Sequence, residues 1–304
     1  MHPHLKKLSQ RPRVLLDMIR RSLDSKSKHC PSCGAEPRPE KLDRRFGIMV
    51  LRRCSSCDLL FRTPTDTQAH SNQFYQSDYT EGSVTELPSS KSLQEMIASE
   101  FSTKGDLGPY VDIIKRFFGD KTVKLIDYGC SWGYNTWRFE RAGFKTSGVE
   151  VSRPRCDFGR ANLHIDARYT SSELNSDHDV FFSSHVFEHV PSPRDSFLEA
   201  TRLLGNKGGL LIVITPNGCA DFRAARPSRW HELWGRKHPN FLDEKFWRAI
   251  LGSIPHAIMS RNEDGTVVAP LDSLCPELLK ASQKFDLSGE ELIAVAQLPK
   301  QEPF

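Results

Sequence analysis

The chain lacks any long hydrophobic run: none of its uninterrupted apolar stretches exceeds five residues, the length of Leu210–Ile214. A helix needs roughly 20 such residues to cross a bilayer, so no membrane span is expected. The N-terminus gathers no apolar segment of the secretory kind, and a soluble, cytoplasmic protein is the expectation. Internal repeats and low-complexity tracts are missing, which sets aside solenoids and biased tails. A large excess of one charge is missing too. The net charge is +4 over 304 residues, with 38% hydrophobic and 26% charged residues, so the chain is expected to be globular rather than disordered.

What imbalance exists sits at one end. Residues 1–28 hold eight Lys/Arg against Asp17 and Asp24, or +6, which leaves −2 for residues 29–304. The body therefore offers no phosphate-binding surface on charge grounds, and nucleic acid is not an expected partner. Within the basic tail, Val14, Leu15, Met18, Ile19 and Leu23 share one side of a helix. Such a helix suits an anionic membrane surface, RNA, or docking on its own protein or a sister chain, and docking is the expectation.

Cysteine is unusually patterned. Cys30 and Cys33 form one C-x-x-C knuckle and Cys54 and Cys57 a second, with twenty residues between them. Two knuckles at this spacing suit tetrahedral zinc, and four thiolates leave no open position, so the site reads as structural. Disulfides are disfavoured in a reducing cytosol. Cys130, Cys156, Cys219 and Cys275 are scattered singly.

The chain divides into a basic tail (1–28), a zinc ribbon (29–63), a linker or lid with helices (64–122) and a catalytic domain (123–304). Ribbon strands are expected over Phe46–Leu51 and Leu59–Phe61. From residue 123, apolar strands alternate with amphipathic helices. Strands fall at 123–127, 146–150, 179–183, 209–215 and 291–297; helices fall at 133–142, 153–161 and 194–204. That alternation predicts an α/β fold, a doubly wound, Rossmann-like, mostly parallel sheet, with ligands beyond the carboxyl ends of its strands.

The first of these strands ends in Asp127-Tyr-Gly129-Cys130-Ser131-Trp132-Gly133 and runs into a helix. A dinucleotide fingerprint from Gly129 would need glycine at Ser131 and Tyr134, and neither position has it. Asp127 would also set negative charge beside a pyrophosphate. The second strand ends in Glu150, an acid able to accept from both ribose hydroxyls. An acid, two turn glycines and a ribose acid together point to S-adenosylmethionine.

Residues 125–160, with F-F-S-S-H-V-F-E-H-V-P-S-P at 181–193 and G-G-L-L-I-V-I-T-P-N at 208–217, resemble class I S-adenosylmethionine-dependent methyltransferases. Together with the cysteine knuckles and F-Y-x-x-D-Y at 74–79, they are similar to bacterial members that carry an N-terminal zinc-binding region and often serve saccharide pathways. The resemblance implies that Gly129, Cys130, Ser131 and Gly133 line the methionine end, with Asp127 and Trp132 in the same loop. It places Glu150 on the ribose, Val151 beside the adenine, and Ser171 near the adenine amino group. Ser131 departs from the middle glycine of the usual motif. Tyr75 and Tyr79 are expected to close over the cofactor.

Methyl transfer to a hydroxyl is helped by a base, and histidine suits neutral pH. The candidates, in order, are His185, His238 and His189, with a small-molecule or saccharide hydroxyl as acceptor. His185-Val-Phe-Glu188-His189 also matches H-x-x-E-H, a zinc-protease pattern, but Pro191 and Pro193 follow too closely for the long helix it requires. Magnesium is poorly matched to a segment with histidine at its first position, so no catalytic metal is expected. Two rival functions remain: an RNA-directed methyltransferase using ribbon and tail, and a non-catalytic scaffold.

Overall fold

The computed structural model describes residues 18–66, 86–262, 274–279 and 285–300. The lid tyrosines Tyr75 and Tyr79, and Val14 and Leu15 of the tail, lie outside the described residues. Three antiparallel strands build the ribbon: β1 (Asp43–Arg45), β2 (Met49–Arg53) and β3 (Leu60–Thr63). The strand expected from Phe46 starts only at Met49. Phe46 (φ 50°) and Gly47 (φ 71°) are left-handed and make the hairpin turn, which leaves the Phe46 ring in solvent.

Two helices follow, α1 (Ser90–Ala98) and α2 (Gly108–Phe118); Tyr110, Ile113 and Ile114 form the buried face of α2. Alternation then sets in with β4 (Lys124–Tyr128), α3 (Tyr134–Arg141), β5 (Lys145–Val149), α4 (Arg153–Leu163) and β6 (Asp166–Arg168). It continues through β7 (Val180–Ser184), α5 (Pro193–Leu204) and β8 (Gly209–Pro216). Then come α6 (Ala220–Ala225), α7 (Pro227–Leu233), β9 (Asn240–Phe241) and α8 (Glu244–Leu251). The chain closes with β10 (His256–Arg261), the short α9 (Pro276–Leu279) and β11 (Glu291–Leu298).

Seven strands form one sheet in the order β10-β11-β8-β7-β4-β5-β6. Pairs from β6 through β8 are parallel, and β11 runs antiparallel to both its neighbours. The fold is therefore the expected doubly wound, mostly parallel α/β sheet. Both faces are covered, and alternate residues feed two cores. Ile126, Phe181, Leu211 and Val213 belong to one; Leu125, Val180, Phe182, Leu210 and Ile212 belong to the other. The order reverses where β4 meets β7, so the crevice opens beyond the carboxyl ends of those two strands.

The ribbon is not a separate bead. β9 pairs with β3 and adds a fourth strand to the ribbon sheet. Arg62 N donates to Pro239 O at 2.8 Å, and Arg53 reaches the buried Asp243 at 2.6 Å. Met18 is buried with Leu51, Leu60, Trp230, Trp234 and Phe241, and Arg21 pairs with Asp66. The described part of the tail thus docks on its own protein, with Ile19 and Leu23 exposed. Among the described residues, no helix is long and apolar enough to cross a membrane.

Candidate active site

The loop after β4 crosses the end of β5, and Gly129 N and Cys130 N both donate to Val149 O. Gly129 (φ 82°) and Gly133 (φ 88°) are left-handed. A Cβ on Gly129 would lie 2.2 Å from Val186 Cγ2, and one on Gly133 would lie 1.9 Å from Ile165 Cδ1. Close packing and backbone sign both require glycine there. Ser131 holds a left-handed φ of 53°, a conformation that costs a non-glycine residue roughly 1–2 kcal/mol. Its N–H donates to Glu150 Oε2 at 3.0 Å, which helps to fix it.

Asp127, Gly129, Cys130, Ser131, Gly133 and Glu150 come together around this turn. Glu150 Oε1 also accepts from Ser152 N at 2.7 Å, and Asp127 Oδ2 accepts from the Thr136 hydroxyl at 2.7 Å. Burial, reinforced by the nearby Glu150 and opposed by the Thr136 hydrogen bond, raises Asp127 to about 7. Burial raises Glu150 as well, against the amides that bond it and the charge of Arg155. Two buried acids side by side fit a ligand that brings positive charge and hydroxyl donors, as S-adenosylmethionine does.

The other expected residues divide. Cys130 is buried, its Sγ packed where a Gly148 Cβ would sit, and burial holds its thiol well above the usual value. Val151 stands half-exposed past the end of β5. Ser171 is held by α5: its hydroxyl bonds Glu199 and its carbonyl accepts from Arg202. Trp132 needs correcting. Its indole is fully buried in a cluster with Phe101, Leu163 and Ile165, so only its backbone belongs to the cofactor loop.

Beyond the end of β7, His185 stands in a left-handed turn (φ 55°), its backbone N–H donating to Ile214 O. The following Val186 presses on Gly129, so the 185–189 loop borders the cofactor turn directly. His185 Nε2 lies 2.7 Å from Glu291 Oε1, and Nδ1 lies 3.2 Å from Glu188 Oε1. Burial alone would lower this imidazole, but the two carboxylates outweigh it and raise it to about 10. Glu291 was not legible from sequence, since it lies 106 residues from His185 and reaches it only through the β8–β11 pairing.

Glu188 is fully buried; its Oε1 pairs with His185 Nδ1 at 3.2 Å, and among the described residues nothing hydrogen-bonds its Oε2. His189 and His238 stand beside it, rings 4.7 Å apart at 69°. His189 Nδ1 donates to Lys237 O at 2.7 Å and His238 Nδ1 to Leu233 O at 2.5 Å, since a carbonyl can only accept. Both Nε2 atoms are left as lone-pair positions. Burial, helped by the neighbouring His189, lowers His238 to about 4.

The four ribbon cysteines also converge. Cys30 and Cys57 sulfurs are 3.6 Å apart, Cys33 and Cys54 3.4 Å, and the amides of Ser56 and Cys57 point at Cys54 Sγ. Thiolates about 2.3 Å from a tetrahedral zinc stand roughly 3.8 Å apart, so the group could hold zinc with little movement.

Residues 104–253 match a family model described as a methyltransferase domain. A curated relative, the ubiquinone biosynthesis O-methyltransferase of Pelagibacter ubique (strain HTCC1062), is 28% identical over 105 residues. That stretch is 32% of this chain and spans 43% of the relative. Among solved structures, a methyltransferase from Archaeoglobus fulgidus aligns at 15% identity over 69% of this chain and 100% of its own, with a TM-score of 0.44. A geranyl diphosphate C-methyltransferase from Streptomyces coelicolor A3(2) aligns at 14% identity over 76% and 97%, with a TM-score of 0.47. Likeness of that depth says nothing of a shared substrate. With the glycine turn, its two acids and the sheet order already in place, the family match identifies the chain as carrying a class I S-adenosylmethionine-dependent methyltransferase domain.

Proposed function

We propose that the protein moves a methyl group from S-adenosylmethionine to a hydroxyl oxygen, with the acceptor seated between the glycine turn and the Glu188–His189–His238 cluster. The observation that carries this reading is the contact of Val186 with Gly129, which sets the only described histidine–carboxylate cluster of this kind against the cofactor loop. The acceptor oxygen attacks the methyl carbon in line with the sulfur, the carbon–sulfur bond breaks, and S-adenosylhomocysteine leaves neutral. Collinear positioning supplies much of the roughly 7–11 kcal/mol that proximity offers.

The hydroxyl proton goes to an imidazole with a lone pair. His238 Nε2 and His189 Nε2 have one. His185 does not suit the role it was first assigned, because both of its nitrogens face carboxylates and act as donors. A saccharide hydroxyl remains the first acceptor to try, on resemblance. The oxygen, rather than carbon or nitrogen, is supported by the name of the Pelagibacter relative. The four-cysteine group serves as a structural zinc site in this reading. RNA delivery by the tail loses support because Met18 and Arg21 are engaged with the chain itself.

Titration with S-adenosylhomocysteine by calorimetry, followed by turnover of S-adenosylmethionine against a panel of hydroxyl acceptors, tests the reading. Micromolar binding and transfer to an oxygen support it. A folded protein that binds no S-adenosylhomocysteine is the scaffold instead.

A further inference from the structure

We infer that Glu188, His189 and His238 form a second metal site, for a first-row divalent transition ion such as zinc, beside the cofactor crevice. The inference rests on the proposed methyl transfer for its purpose but not for its geometry. One ligand atom from each residue lies within 4.8 Å of the others, and His189 Nε2 is 3.7 Å from Glu188 Oε1. Small rotations bring such atoms to the roughly 2.0–2.2 Å of zinc–nitrogen and zinc–oxygen bonds.

Two independent features point to a cation. The first is Glu188, a carboxylate with no exposed surface whose Oε1 meets only imidazoles and whose Oε2 has no hydrogen-bond partner among the described residues. A buried carboxylate oxygen without a donor is costly unless something else meets it. The second is the pinning of both imidazoles by their Nδ1–H groups on the carbonyls of Lys237 and Leu233. Metal-bound histidines are oriented by such bonds, which fix the tautomer and present Nε2 to the ion.

The donor set decides the ion. Two imidazoles and one carboxylate suit zinc, iron(II) or manganese(II) and not magnesium, which demands oxygen ligands. The expectation against a catalytic metal assumed that His185 would be a ligand. In the structure His185 turns to Glu291, and His238, 49 positions after His189, takes the third place. Three protein ligands leave open positions for water or for an acceptor hydroxyl. An ion there lowers the pKa of a bound hydroxyl, the task that free histidines would otherwise perform as bases.

The test is metal counting on the full chain dialysed against zinc. Two zinc ions per chain are expected in the wild type, one in the four-cysteine group and one here, with excess magnesium displacing neither. Glu188→Gln and His238→Gln should each hold one. His238 is the less buried position, so its variant remains informative should Glu188→Gln misfold. One ion in the folded wild type, or two in folded variants, overturns the proposal. S-adenosylhomocysteine titration of the same samples separates the readings: a chain that binds it but holds one zinc loses the second metal site alone, and a chain that holds two zinc ions but never binds it loses the methyltransferase reading alone.

Discussion

Glu150 is the residue on which cofactor affinity should turn. Its carboxylate organises the loop through Ser131 N and Ser152 N, and the proposed function gives its remaining lone pairs to the ribose. Glu150→Ala should weaken S-adenosylhomocysteine binding by about 1.5–3 kcal/mol, or roughly 10- to 150-fold in calorimetry. Asp127 adds a pH dependence. It is raised to about 7 in the free protein, and a cationic ligand favours its charged form. Affinity for S-adenosylmethionine should hold above pH 7 and fall below it, approaching tenfold per unit as the carboxyl takes up a proton. Titrations from pH 8 to 6 check this; Asp127→Asn should flatten the profile. Glycine 133 should tolerate nothing larger: Gly133→Ala meets Ile165 in a left-handed turn and should destabilise the fold by at least about 1–2 kcal/mol in urea melts.

At the scale of elements, the short β9 carries more than its two residues suggest. It pairs with β3 of the ribbon, and Asn240 on it bonds Glu188 O and Val190 O, so one strand ties the ribbon to the loop after β7. His238 sits just before it. Emptying the four-cysteine group, by chelation or by Cys33→Ser, should therefore reduce methyl transfer more than S-adenosylhomocysteine affinity, a split read by comparing turnover with calorimetry. The same junction includes Arg53 and the buried Asp243, which also caps α8 by accepting from Phe246 N. Arg53→Met leaves that carboxylate without its partner and should cost about 3–5 kcal/mol in a urea melt. The ribbon's cysteines are legible in the sequence but this seam is not, because nothing in Asn240–Phe241 announces a strand.

Across the whole molecule, ribbon and sheet share a core. Cys30, Cys54, Leu59 and Phe61 belong to the same buried cluster as Phe181, Phe187, Phe246 and Trp247. The zinc-loaded protein should thus unfold in one calorimetric transition rather than in two, and a separate early transition for the ribbon would contradict the shared core. Much of this architecture was legible beforehand. The parallel strands are short apolar runs with local turn signals, so their positions came within a residue or two. β10 and the docked β9 did not, since their burial depends on partners distant in the chain. Phe46 misled for a related reason: an aromatic beside apolar residues reads as strand, while the following glycine and the hairpin geometry turn it outward.

The amino-acid sequence by itself determined the α/β class, the glycine turn with Asp127 and Glu150, and the clustering of four cysteines, because each rests on residues within a few positions or on a regular spacing. Tertiary structure alone decided what the histidines face. His185 meets Glu291 through the register of β11 on β8, and His238 meets Glu188 and His189 because the ribbon clamps the segment that bears it. Those contacts join residues far apart in the chain, 106 positions in the case of His185 and Glu291. No local pattern encodes a distance of that kind; it arises only when strands pair and bury the side chains between them.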